Sequence, residues 1–247
     1  MTTYTDRELT IMEHLAELRD RLVWAVLALV IGTAVGTIFT QDVLRLLIMP
    51  LGNNVPQSIA PTESIMVYFR IALIMGVTIA MPVIVYEIIR FLLPGLLPHE
   101  RKYLTFLVPG AGVSFAAGVA FALFVMMPGM IQFMQGFLTE VVENNWTLQN
   151  YVNFMTFVMF WMGILFEMPL VIFFLAKLGV VTVPQLRKAR RWAIMVSAVV
   201  AAVVTPSHDP VNMIVLMVPL VFLYELGILL AHFAKPREDQ SAESMIA

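Results

Sequence analysis

Apolar residues run through this chain in long stretches separated by short polar segments, and the lengths of those stretches set the first expectations. From residue 9 to 22, Ile11, Leu15, Leu18 and Leu22 share one helical face while Glu13, Glu17 and Arg21 recur every four residues. That spacing predicts an amphipathic helix on a membrane surface. Leu22 to Phe39 follows without a charge and is just long enough for a first span, since about 20 residues cross the hydrocarbon. Residues 40–64 then leave the membrane: a short apolar helix ends at Pro50, and Asn53, Asn54, Pro56 and Pro61 read as an extracytoplasmic cap.

Ser64 to Leu93 forms the second span, with Pro82 predicting a kink and with Glu87 and Arg90 close enough to pair near its end. From Phe91 to Lys102 the chain must turn, because Pro94, Gly95 and Pro98 cannot share one helix, and Glu100 is thereby held beside a membrane face. Tyr103 to Met127 is a third span whose Gly110, Gly112, Ala116, Ala117 and Gly118 permit close packing; Pro128 and Gly129 are expected to end it. Residues 130–150 hold an amphipathic piece and then Glu140 and Glu143, with no lysine or arginine. The fourth span, Tyr151 to Ala176, carries Glu167 about 15 Å before Lys177, inside the bilayer. Trp192 to Val204 is only about 20 Å long as a helix, so the fifth span is short, and the sixth, Val211 to Phe233, is expected to share that short hairpin and to thin the bilayer locally. The tail from Ala234 is polar and reads as disordered.

Composition sharpens this into an all-α polytopic membrane protein. Of 247 residues 60% are hydrophobic and 13% charged, against about 25% charged in soluble domains. A net charge of −2 argues against nucleic acid as the main partner, and the lack of cysteine removes disulfides and thiolate metal sites. No phosphate-binding glycine loop or zinc-binding histidine pair occurs, so neither ATP hydrolysis nor metal chemistry is indicated and no cofactor is expected. The acidic residues Asp6, Glu8, Glu13, Glu17 and Asp20 do not fit a cleaved signal peptide, so the N-terminus is expected to stay cytosolic. Basic residues agree: with Lys177, Arg187, Lys188, Arg190 and Arg191 in one loop, only Arg45 and Arg70 of the 15 Lys and Arg fall outside the side assigned to the cytosol. Both termini are therefore expected inside, with Glu17 and Glu100 on the same face.

Two restrained carboxylates on one face could bind a pair of guanidinium groups through forked hydrogen bonds. The local alternative is that Glu17 simply pairs with Arg21 at i,i+4 and Glu100 with its basic neighbours, and spacing alone favours it. Glu167 differs, because an ionisable group at such depth costs at least ~2.5 kcal/mol unless it faces a cavity or partner. Asp209 can cap the sixth helix, and Glu225 is ambiguous.

The runs His14-Leu15-Ala16-Glu17-Leu18-Arg19-Asp20-Arg21-Leu22, Pro82 with Phe91-Leu92-Leu93-Pro94-Gly95-Leu96, His99-Glu100-Arg101, Phe166-Glu167-Met168-Pro169, Leu186-Arg187-Lys188, and Thr205-Pro206 with Asp209 resemble the TatC family in this order. TatC is the multispanning receptor subunit of the twin-arginine protein translocase. The resemblance implies a concave bundle of six helices in a bacterial cytoplasmic membrane, the last two short, and a non-enzymatic role. It implies that Glu17 and Glu100 receive the arginine pair of a signal peptide, that Arg19 and Phe91 belong to that region, and that Glu167 lies in an intramembrane pocket. It also makes Pro50 part of the external cap and matches Asp209 to an acidic external position. Implied partners are twin-arginine signal peptides of folded precursors, TatA and TatB type single-span subunits, membrane lipids and further copies of the chain, with the proton-motive force driving export. Two departures stand out: an extra residue before Asp209, and Glu87 where glutamine is common. The alternative classes are a proton-coupled small-solute transporter using Glu167 and Glu225, against which no internal repeat is found, and a structural assembly scaffold.

Overall fold

The computed structural model describes residues 11–52, 56–92, 101–137, 146–205 and 209–234, all essentially helical. Helix α1 (Ile11–Ile48) leads through a single turn, Met49–Leu51, into the cap, and α2 (Glu63–Leu92) returns. Helices α3 (Arg101–Phe121) and α4 (Met127–Gly136) are joined by a π-helical turn, Ala122–Met126. Then come α5 (Leu148–Phe166), α6 (Met168–Lys177), the short α7 (Val183–Lys188), α8 (Arg190–Val204) and α9 (Pro210–Phe233). Among the described residues five stretches are long and apolar enough to cross a membrane, and α8 is a shorter apolar helix beside them.

Three expectations change. The surface helix, first span and cap helix are one continuous α1 of 38 residues, about 57 Å long. No proline interrupts residues 11–48, so no backbone donor is missing and the amphipathic first turns continue the axis of the span. Pro128 does not end the third span. The wider turn at Ala122–Met126 directly before it relieves the crowding a proline ring imposes on the preceding turn, and the helix continues to Gly136. Of the two helices expected to be short, α8 has 15 residues, about 22 Å, but α9 has 24, about 36 Å, enough to cross alone. The charge-free run that made the fifth span look short says nothing about its partner's length.

Small residues decide how the helices meet. Buried Gly32, Gly36 and Thr40 of α1 recur every four residues, and the two glycines lie against Gly76 and Ala72 of α2, so the two backbones nearly touch. Gly118 of α3 meets the Met162 carbonyl and Gly163 of α5 in the same way. Around α5 the core is filled by fully buried methionines 126, 127, 130, 155, 159 and 162, whose flexible thioethers suit the irregular gaps between helices. Helix α6 packs on α9, and α9 in turn supports α8.

The segment before α2 is tied to the start of α5 by one carboxylate. Glu63 begins α2, is buried, and accepts hydrogen bonds from the amides of Ile59 (2.7 Å), Ala60 (3.3 Å) and Gln149 (2.6 Å), so it faces the positive N-terminal ends of both α2 and α5. Beside it Gln57 donates to the Trp146 carbonyl and accepts from Leu148, each at 2.9 Å, and the buried Tyr151 hydroxyl donates to the Leu47 carbonyl. Pro50, expected in an external cap, lies in the turn after α1 and lines a groove of about 390 Å³ with Leu46, Leu123 and Pro128.

A methyl group at Gly76 would lie 2.6 Å from the Thr33 Cα, whereas one at Gly129 would meet nothing within 4 Å. Gly76→Ala should therefore destabilise the detergent-solubilised protein by about 1–3 kcal/mol through forced separation of α1 and α2, while Gly129→Ala should change stability by less than about 0.5 kcal/mol; thermal unfolding of both variants compares them.

Candidate functional site

Where α1 begins and α2 ends, the two antiparallel helices bring together residues far apart in sequence. His14, Glu17 and Arg21 are spaced three and four apart on α1 and so share a face, as do Glu87 and Phe91 on α2. The His14 and Phe91 rings stack at 4.5 Å between centroids with 15° between planes. One turn deeper on α2, the Arg21 guanidinium donates to Glu17 at 3.0 Å and to Glu87 at 3.1 Å, using a different nitrogen for each. The side chains of Arg21, Glu17 and Glu87 are 19%, 23% and 10% exposed, so these charges are only partly reached by water.

The local i,i+4 contact of Glu17 with Arg21 is thus present, but it is half of a three-residue network. Glu87 was expected to pair with Arg90; instead it faces α1, and Arg90 lies against the Tyr86 ring, 5.7 Å from its centroid. Arg19 pairs with Asp20 at 2.8 Å on an exposed surface. Glu100 and residues 93–99 of the hinge lie outside the described residues. The four-residue spacing of Glu17 and Arg21 was visible in the sequence, but which α2 residues would meet that face was not.

Glu167 marks a break in the fourth span. Pro169 has no amide to offer the Leu165 carbonyl, so α5 stops at Phe166, the Glu167 amide bonds to Ile164 at 3.0 Å, and α6 begins at Met168. The Ser114 hydroxyl of α3 donates to the Phe166 carbonyl at 2.6 Å, supporting the interrupted backbone. Glu167 is 7% exposed and its Oε1 has no hydrogen-bond partner among the described residues. A buried carboxyl oxygen left this way is costly and is open to a donor arriving from another chain.

At the other end of the chain, Asp209 caps α9 as expected, accepting from the Asn212 amide and side chain at 2.7 Å each. Glu225 pairs with Arg190 at 2.7 Å, and the Tyr224 hydroxyl bonds to the Leu186 carbonyl, so α7 and α8 are fastened to α9 where the basic loop lies. Among the described residues no group of three or more histidine, aspartate and glutamate side chains is arranged to hold a metal ion.

The sequence profile of the Sec-independent protein translocase protein (TatC) matches residues 13–219. This chain belongs to the TatC family. It is 33% identical over 235 residues to the TatC of Carboxydothermus hydrogenoformans, covering 94% of this chain and 97% of that one. It is 34% identical over 246 residues to the TatC of Deinococcus radiodurans, covering 95% and 91%. A crystal structure of the twin arginine translocase receptor TatC in detergent superposes with a TM-score of 0.79 at 32% identity, over 89% of this chain and 99% of that one. The chain is therefore a multi-pass membrane protein and a component of a Sec-independent protein translocase, and the family assignment displaces the solute-transporter alternative.

Phe91→Leu keeps an apolar side chain but removes the ring stacked on His14. It should cost about 0.5–1.5 kcal/mol of unfolding free energy, and His14→Ala should not add to that loss, which a double-mutant cycle by thermal unfolding would measure.

Proposed function

We propose that this TatC-family chain is the receptor and core subunit of a twin-arginine translocase in a bacterial cytoplasmic membrane, with both termini in the cytosol. It binds the paired arginines of signal peptides through Glu17 and Glu100, with Arg19 and Phe91 bordering the site. The observation that carries this reading is the convergence of Glu17 and Phe91 at the paired ends of α1 and α2, where Glu17 already accepts a guanidinium hydrogen bond at 3.0 Å. A planar guanidinium suits such a carboxylate better than an ammonium, which would make the site prefer arginine over lysine.

Glu167 serves a separate step. Its unmatched Oε1 beside a broken helix is suited to a polar group on a single-span TatA or TatB type subunit, and the short α8 thins the bilayer where such subunits gather. With no nucleotide site in the sequence, transport of the folded cargo draws on the proton-motive force. Pro50 and Asp209 shape the external rim, and further copies of the chain and the surrounding lipids complete the assembly.

A signal peptide carrying Arg-Arg should bind the purified protein at least about tenfold more tightly than its Lys-Lys counterpart. Glu17→Ala and Glu100→Ala should each erase most of that preference, and no preference in the parent protein would exclude the receptor role. Glu167→Ala should leave peptide binding within about twofold while abolishing export in cells; equal loss of both would deny it a separate step.

A further inference from the structure

If Glu17 is the arginine receptor, its own helix already occupies it, since Arg21 donates to Glu17 at 3.0 Å. We propose that Glu87 is a positioning residue that takes up Arg21 and so frees Glu17 for the guanidinium of an incoming signal peptide, an inference that rests on the receptor reading above. The cluster holds two carboxylates and one guanidinium, so it carries one surplus negative charge, the amount a single arginine neutralises. Glu87 lies on α2 and is the more buried of the two carboxylates, 10% exposed against 23% for Glu17, so the more accessible partner is the one released.

Arg21 has donors to spare for this exchange. One terminal nitrogen is on Glu87 at 3.1 Å, the other becomes free when Glu17 turns to the peptide, and its Nε is buried without an acceptor among the described residues. Glu17 is the member whose side chain water reaches most, which leaves it a route to a ligand. Removing the charge at position 87 leaves Arg21 with Glu17 as its sole carboxylate, and the peptide must then compete with an intramolecular guanidinium at high effective concentration. The network therefore sets affinity for arginine through a residue that need not touch the peptide.

The experiment measures binding of the Arg-Arg and Lys-Lys signal peptides to the full-length protein in detergent, with thermal unfolding as a check on folding. Glu87→Gln should weaken Arg-Arg binding roughly three- to tenfold and reduce the preference over Lys-Lys. The double variant Arg21→Gln/Glu87→Gln, which removes the competitor with its anchor and restores a net charge of −1 at the cluster, should regain most of that loss. Should Glu87→Gln not fold, Arg21→Gln alone carries the test: it should bind Arg-Arg at least as tightly as the parent. Parent-like affinity in Glu87→Gln, equal weakness in the single and double variants, or weakened binding in Arg21→Gln would each overturn the proposal. Undiminished binding in Glu17→Ala would instead remove the receptor reading itself.

Discussion

Inside hydrocarbon every backbone amide and carbonyl needs a partner within the protein, and the architecture depends on that requirement. Helices meet it automatically until a proline intervenes, and this chain resolves its prolines in different ways. Pro82, Pro109 and Pro219 lie within helices that continue past them. Pro128 follows a widened turn that keeps α3 and α4 in one span. Pro169 interrupts the fourth span at the single residue Glu167, and there a hydroxyl from a neighbouring helix takes one carbonyl while Glu167 is left with an unmatched oxygen. The backbone constraint thus places the chain's unusual intramembrane acid at the interruption between α5 and α6.

The same requirement gives the two ends of the bundle different characters. At the end where α2 and α5 begin, Glu63 is matched by three backbone amides and joins the segment before α2 to the start of α5. Its contacts join fixed backbone groups, which suits a structural cap. At the opposite end, the contacts between Arg21 and its two carboxylates are made by long side chains that are partly wet. Such pairs are individually weak and exchangeable.

Tight backbone packing and exchangeable side-chain contacts are therefore separated along the axis of α1. Its middle is held to α2 by glycine contacts that leave no room for side chains, which keeps the two helices in register. That register decides that Glu87, rather than a residue one turn away, faces Arg21, and that Phe91 faces His14. Loss of a small residue in mid-membrane would consequently disturb a charge network several turns distant without touching it.

Much of this was legible in the residues. The apolar runs set the approximate number and bounds of the spanning helices, because about 20 apolar residues are needed to cross the membrane. The pairing of Glu17 with Arg21 and the capping by Asp209 were readable too, since both are local contacts within four residues. The continuity of α1 and the passage of the third span beyond Pro128 were not, because a punctuating residue has several structural outcomes and its surroundings choose among them. The contact of Glu63 with Gln149, of Glu87 with Arg21 and of His14 with Phe91 was decided only by tertiary structure: each joins two elements, and which faces meet depends on where small residues let helices approach.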